Sequence, residues 1–180
     1  MTTTAQIVLM AAYNEWMNTK LYDAAERVPQ EELAQDRGAF FGSIIGTLNH
    51  LVVTDTIWLK RFAAHPSNPK ALEPVRALPQ PTALNEIVFM DLARLAQRRK
   101  VIDAAIKAWA AALTQADLDH VLHYANTKGV KSQKRFPSLL MHFFNHQTHH
   151  RGQATTLLFQ AGQDVGVTDL LALIPNETQT

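Results

Sequence analysis

Apolar residues recur every three to four positions in four long segments of this 180-residue sequence, and turn-forming residues cluster between those segments. Such spacing places apolar side chains on one face of an α-helix, and each helix then needs a partner to cover that face. The pattern therefore predicts an all-α protein whose four long helices pack as a four-helix bundle. Because the length suits one ordinary domain, we expect residues 1–180 to form a single domain.

The first two predicted helices are bounded by residues that stop or start a helix. The first runs from about Thr4 to Arg27 and ends before Pro29, whose ring disfavours helical backbone at the preceding residue. After a polar connector, Ser43 is suited to cap a second helix that continues to about Ala64. The end of the first helix and the start of the second thus follow from local chemistry alone.

The connection between the second and third helices is long and rich in proline. Residues 65–81 hold five of the eight prolines, which predicts an extended crossover loop without regular structure of its own. A third helix is expected to begin near Thr82 or Asn85 and to continue to Leu113, a length of about 45 Å. One long crossover of this kind is compatible with a four-helix bundle.

The periodicity changes before the fourth helix. Between residues 122 and 136, the pair Lys128-Gly129 is suited to a turn between two short strands, so we expect a small hairpin there. Pro137 fits the first turn of a fourth helix, which runs to Ala161 and stops at the glycine that follows. One further short helix is expected in the tail, around residues 169–173.

The composition excludes several classes of function. The formal net charge is +1, so the chain has no large positive field to attract nucleic acid or anionic lipid. It contains no cysteine, which removes disulfides, thiolate nucleophiles and cysteine metal ligands. No basic leader segment and no uncharged apolar stretch of roughly 18 residues is present. We therefore expect a cytoplasmic protein without a nucleic-acid or membrane partner.

Histidines are concentrated in the fourth predicted helix. Four of the eight lie within nine residues, at positions 142, 146, 149 and 150. His146 and His150 are about one helical turn apart, so their imidazoles can bind one divalent metal ion. A catalytic zinc takes three protein ligands, and His50, on a mostly apolar face of the second helix, is the best third candidate. The alternative interpretation is that His50 is a core histidine satisfied by one hydrogen bond, and that the histidine cluster of the fourth helix is partly a solvated face.

Several other residues have expected roles around this cluster. Gln153 points about 20° away from His146 and is placed to hydrogen-bond an imidazole or a metal-bound water. His142 is a fourth ligand or, more simply, a partner outside the ligand set. Asp55 is expected to orient another helix, and Arg151 to pair with a carboxylate at the surface. The histidines in or beside loops are expected to be ordinary surface residues, namely His65, His120 and His123.

Ordered landmarks lie along residues 8–162, namely Tyr13-Asn14-Glu15-Trp16-Met17-Asn18, Arg37-Gly38-Ala39-Phe40-Phe41-Gly42-Ser43 followed by Gly46-Thr47-Leu48-Asn49-His50-Leu51, then Asp55, Ile57-Trp58-Leu59, Tyr124-Ala125-Asn126-Thr127-Lys128-Gly129 and Phe144-Asn145-His146-Gln147-Thr148-His149-His150-Arg151-Gly152-Gln153. Together these residues resemble the DinB-like (damage-inducible) family of four-helix-bundle proteins. The resemblance implies a divalent metal held by one histidine from the second helix and two from the fourth, which are His50, His146 and His150 in this sequence. The resemblance also implies a homodimer. The relatives in this family include metal-dependent hydrolases and low-molecular-weight-thiol transferases.

Three functions remain open from the sequence. The first is a metalloenzyme of unknown substrate, either a small-molecule hydrolase or a thiol-dependent transferase, that uses one divalent transition metal ion with zinc or nickel favoured. The second is a non-catalytic stress-response module in which the metal ties the second helix to the fourth. The third is a dimeric interaction protein without a metal. No residue is identifiable as a general base, so a metal-bound water is the only catalytic group expected.

Overall fold

The computed structural model describes residues 2–67 and 69–176, which are mostly helical, so the all-α prediction is confirmed. Residues 177–180 of the predicted tail lie outside this described part. None of the helices described has both the length and the apolar character that crossing a membrane would require. In chain order the elements are α1 (Thr4–Ala25), α2 (Gln30–Ala34), α3 (Ile44–Phe62), α4 (Glu73–Arg76), α5 (Leu92–Ala112), α6 (Gln115–Leu118), β1 (Val121–Ala125), β2 (Lys131–Arg135) and α7 (Phe136–Gln160).

The four long helices pack around a shared core. Helix α1 contacts α5 and α7, and α3 contacts the same two helices, as expected for the predicted four-helix bundle. An aromatic cluster joins α3, α5 and α7. In that cluster Phe62 stacks on Trp109 with ring centroids 5.3 Å apart and meets Phe136 and Phe143 edge to face. The core therefore fixes α3 against α7, the two helices that carry the predicted metal ligands.

Local signals set most helix boundaries as predicted. Ser43 caps α3, because its Oγ accepts a hydrogen bond from the Gly46 N–H at 3.1 Å. Pro137 lies in the first turn of α7, and Gly162 follows the end of that helix with a φ of 77°. The predicted hairpin is present, with β1 and β2 antiparallel and Leu122 opposite Lys134.

The crossover between α3 and α5 is more regular than its prolines predicted. The expectation that residues 65–81 lack regular structure is wrong, because Lys70–Leu72 form a 3-10 turn that continues directly into α4. Pro74 lies in the first turn of α4, where a helix does not need the missing N–H. Leu72 and Val75 are buried. A short helix forms here because it buries apolar residues of the crossover.

Helix α5 begins later than predicted. It starts at Leu92, after the capping residue Asp91, and this is seven residues beyond the later of the two predicted starts. The reason is a tertiary contact, since Asn49 Oδ1 accepts from the backbone N–H groups of Val88 and Phe89 at 2.8 and 3.0 Å. These bonds hold the segment against α3 in a non-helical conformation. Contact with a neighbouring helix thus outweighs the helical periodicity of the segment.

Candidate metal centre

Three histidines from two helices converge at the interface of α3 and α7. His50 comes from α3, while His146 and His150 come from consecutive turns of α7, and together we call them the histidine triad. One ring nitrogen of each lies within 4.8 Å of the other two, so the triad can hold a single metal ion. The Nε2 atoms of His50 and His150 are 3.2 Å apart. Two nitrogens bound to one tetrahedral zinc ion are separated by about 3.3 Å, which matches this spacing.

Hydrogen bonds on the outer ring nitrogens determine where the imidazoles carry their protons. His50 Nδ1 lies 2.8 Å from the carbonyl oxygen of Leu84, so its N–H donates there. His150 Nδ1 lies 2.8 Å from Gln153 Oε1 and donates to it in the same way. Both Nε2 atoms then present lone pairs to each other, and neither can donate a hydrogen bond. A cation between them would satisfy both, so the donor set fits a metal ion.

Burial keeps the imidazoles of the triad neutral. Desolvation lowers the pKa of His50 to about 4 and, together with the neighbouring histidines, lowers the pKa of His146 to about 3. Desolvation also lowers the pKa of His150. Neutral imidazole is the form that binds a metal ion. At neutral pH all three rings are therefore in the metal-binding form.

Two connections outside the bundle core position His50. Phe41 stacks on the imidazole, with ring centroids 3.7 Å and planes 19° apart. The Phe41 loop can lie this close because Gly46 has no side chain, whose Cβ would be 2.1 Å from the Phe41 carbonyl oxygen. Asn49 anchors the crossover by donating to the Phe89 carbonyl oxygen at 2.9 Å, and this segment supplies the carbonyl group that accepts from His50. Sequence reasoning assigned no role to Phe41 or Asn49.

The other predicted residues lie around the triad. Gln153 accepts from His150, and its amide group lies 3.4 Å from His149 Nε2. His142 is not part of the group of ring nitrogens that lie within 4.8 Å of one another. Its ring packs against Trp58, with centroids 5.1 Å apart. Gln153 is thus in place to orient a ligand, whereas His142 lines the cavity beside the triad.

Two expectations about charged or titratable side chains are wrong. Arg151 is not at the surface, since it is 2% exposed, and it donates to Asn14 of α1 instead of to a carboxylate. His65 is not a surface residue either, since it is 6% exposed, with Nδ1 2.8 Å from Ser67 Oγ. Arg151 is covered by α1, which is distant in the sequence, and His65 is covered in part by its own loop. The periodicity of a single segment could not indicate that cover.

A cavity of about 220 Å³ opens beside the triad. Its wall is formed by α3, α7, the crossover and the turn of the hairpin, so a small molecule inside it would meet residues of the triad. Phe41 covers one face of the His50 ring. The lining side chains are mainly polar, aromatic or basic and include His50, Thr54, Trp58, Arg61, Asn126 and His146.

Comparison with known proteins finds similarity to a bacterial protein. It is 29% identical over 160 residues to Protein DinB of Bacillus subtilis (strain 168), and the alignment covers 87% of each chain. No solved structure matches the chain. The sequence model of the DinB family matches residues 1–179, which is nearly the whole length. The chain therefore belongs to the DinB family.

Proposed function

We propose that His50, His146 and His150 hold one divalent transition metal ion and that the protein is a metal-dependent enzyme acting on a small molecule. The observation that carries this proposal is the pair of facing Nε2 lone pairs, 3.2 Å apart, on rings whose protons are held elsewhere. Three neutral protein ligands leave a further coordination position open, as in catalytic sites rather than closed structural ones. Zinc and nickel are the proposed ions, since imidazole suits both.

Two reaction types suit such a site. When bound, the ion would lower the pKa of a coordinated water and polarise a carbonyl group, or bind a substrate thiolate. The first chemistry supports hydrolysis of a small molecule, and the second supports a thiol-dependent transfer. The chain itself supplies the orientation, because Leu84 and Gln153 hold the outer ring nitrogens of two ligands. Phe41 shields one face of His50, so the substrate is expected to approach through the cavity.

Metal content tests the ligand set. Tag-free wild-type protein, purified without added metal, is expected to contain about one equivalent of a transition metal by elemental analysis. His50→Ala and His146→Ala should each lower the affinity by on the order of a hundredfold to a thousandfold, because each removes one of three ligands. His123→Ala, at an exposed position of β1, is the matched control and should retain the metal. Wild-type protein that stays metal-free after incubation with zinc and nickel would refute the site.

A non-catalytic role is the second candidate, because the ligands come from segments that are far apart in the chain. His50 and His150 are separated by 100 residues, so an ion held by both would tie α3 to α7. Turnover of an ester, amide or thiol conjugate that is lost in His50→Ala would establish the enzyme. The non-catalytic role would be favoured if a chelator lowers the melting temperature of the wild-type protein and the protein turns over none of these substrates.

We also propose that the partner of this chain is a second copy of itself. Apolar side chains exposed near the end of α7 and in the tail support a homodimer, including Phe159 at 71% and Leu171 at 74% exposed. Sedimentation velocity at several concentrations should then show a dimer, and a strict monomer would refute it.

A further inference from the structure

Arg61 is a cation in the wall of the cavity beside the histidine triad. Its guanidinium carbon lies 4.7 Å from the ring centroid of Trp58 and 5.2 Å from that of Tyr124. Across residues 2–67 and 69–176, no carboxylate forms an ion pair or hydrogen bond with it. Burial lowers the pKa of Arg61, yet an arginine stays charged at any physiological pH. Its N–H donors are therefore available to a ligand.

Arg61 and His50 lie on the same face of α3. Arg61 follows His50 by eleven positions, which correspond to about three helical turns, with about 20° of angular difference and a rise of about 16.5 Å. Thr54 and Ile57 fall between them on this face and line the same cavity. The contact with Trp58, one turn earlier, shows that the Arg61 side chain points back along the helix toward His50. The unpaired cation and the histidine triad thus face one cavity.

The turn of the hairpin brings further donors to this cavity. Asn126 and Thr127 line it together with Arg61. Asn126 Oδ1 accepts from the backbone N–H groups of Lys128 and Val130 at 2.9 and 3.0 Å, which fixes the orientation of the carboxamide. The amide NH₂ of Asn126 makes no hydrogen bond with any residue that the structure describes. Two donors on a held side chain are thus free to bind an acceptor group.

The wall of the cavity carries positive but no negative charge. A second cavity of about 440 Å³ shares Arg61, Asn126 and Thr127 with the first and adds Lys60. Neither lining includes an aspartate or glutamate, although the chain has 16 acidic residues against 17 basic ones. The lining of the two cavities is therefore locally cationic, although the chain as a whole is nearly neutral. A cleft lined by one sign of charge favours a ligand of the opposite sign.

We propose that the substrate is an organic anion whose carboxylate or phosphate group binds Arg61 and the Asn126 amide, while its reacting end meets the histidine triad. The part concerning the reacting end rests on the proposed function, and the part concerning the anionic end rests on the cavity itself. A guanidinium binds either oxyanion through two parallel hydrogen bonds. Because about three turns of α3 separate Arg61 from His50, the two ends of the substrate are joined by a chain of several atoms.

A matched pair of thiols tests the charge preference. The wild-type protein is loaded with Co²⁺, and binding of 6-mercaptohexanoate and of 6-mercaptohexanol is followed by the cobalt–thiolate absorption band. The acid is expected to bind about 10- to 100-fold more tightly than the alcohol, because only the acid makes charge-assisted hydrogen bonds to Arg61. Adding 6-mercaptohexyl phosphonate to the series distinguishes the two oxyanions, since the tighter of the two anionic thiols identifies the preferred group.

Two substitutions assign the preference to Arg61. Arg61→Met should remove the preference for the acid while leaving the affinity for the alcohol unchanged. Arg61→Lys should retain part of the preference, because lysine keeps the positive charge but lacks the two parallel N–H donors of a guanidinium. Arg98→Met is the matched control, since Arg98 is also half-buried against an aromatic ring, 5.3 Å from Phe89, but lines neither cavity. Equal binding of acid and alcohol to the wild type, or a preference that survives in Arg61→Met, would overturn the proposal. The wild-type comparison and Arg61→Lys decide the matter even if Arg61→Met does not fold.

The same experiment separates this inference from the proposed function. If neither Co²⁺ nor the thiols bind, the proposed metal site fails, and the anion site is tested without metal. Adipate and 1,6-hexanediol are then titrated into metal-free protein by calorimetry. Adipate binding that exceeds diol binding and disappears in Arg61→Met supports the anion site. Equal or undetectable binding of both to the wild type overturns it.

Discussion

Two buried polar clusters lie between the long helices, and they are built in opposite ways. In the charge cluster, which comprises Asp55, Arg99, Asp103, Asn14 and Asn18, every charge has a partner of opposite sign. Arg99 lies 2.6 Å from Asp55 Oδ2 and 3.0 Å from Asp103 Oδ1. Asn14 and Asn18 donate to Asp103 at 3.0 and 2.9 Å. In the histidine triad, by contrast, the inner nitrogens of two rings face each other without a proton between them.

The difference shows that burial of polar groups does not by itself indicate a binding site. The charge cluster links α1, α3 and α5, and Asp55 joins α3 to α5 as its position on the helix predicted. Because Arg99 pairs with both carboxylates and two asparagines also donate to Asp103, the charged groups are engaged with one another within the cluster. The triad is also buried, but its lone pairs converge without an internal donor. The candidate site is distinguished by acceptor nitrogens that face one another without a donor, and not by burial.

The largest effect is expected from breaking the charge cluster. Arg99→Met leaves two buried carboxylates without their cation and should lower the free energy of unfolding by about 3–5 kcal/mol in urea denaturation. Lys107→Met is the control, because it breaks an ion pair with Glu15 that is largely exposed and should cost less than about 1 kcal/mol. Metal content per folded molecule should stay unchanged in both. Equal destabilisation by the two substitutions would show that the charge cluster does not stabilise the bundle.

A smaller effect is expected from releasing one outer nitrogen of the triad. Gln153→Leu removes the acceptor that holds the proton of His150 on Nδ1, so metal affinity should fall about 10- to 100-fold with little change in stability. Competition with a chromophoric chelator measures this affinity. Gln160→Leu, at an exposed position of the same helix, should leave it unchanged. Unaltered affinity in Gln153→Leu would mean that this hydrogen bond does not orient His150.

The smallest effect is expected from a histidine that is buried but does not converge with other histidines on one point. His65 is buried outside both clusters, and burial, followed by the neighbouring His120, lowers its pKa from 6.5. The unfolded chain therefore takes up a proton more readily, so this contribution to stability is present above pH 6.5 and is lost as the pH falls below it. In metal-free protein, His65→Asn should make the decline in stability as the pH falls below 6.5 shallower than in the wild type.

The control for this pH dependence is His123→Asn, which replaces an exposed histidine of β1. It should leave the slope of stability against pH as it is in the wild type. A slope that is identical in His65→Asn and the wild type would mean that the burial of His65 does not contribute to acid sensitivity.

Much of the fold could be predicted because its signals are local. The capping serine of α3, the proline in the first turn of α7 and the hairpin turn each act over a few residues, and the structure has all three. The late start of α5 could not be predicted in this way. It depends on the hydrogen bonds that Asn49 Oδ1 accepts from the backbone of Val88 and Phe89, and Asn49 is 40 residues away from Phe89 in the chain. The same holds for Arg151, whose partner Asn14 lies on a different helix.

The sequence by itself determined that His146 and His150 share one face of a helix, because helical geometry fixes the direction of side chains one turn apart. It also identified His50 as their companion, through its apolar stripe and the family resemblance. Only the tertiary structure decided that the Nε2 atoms of His50 and His150 face each other, because the acceptors for their Nδ1 protons come from a crossover carbonyl and from Gln153. Likewise, only the tertiary structure brought Arg61 and the hairpin turn to one cavity, whose described lining includes no aspartate or glutamate. Contacts between distant segments are fixed by the whole fold, whereas periodicity and capping are fixed by neighbours in the chain.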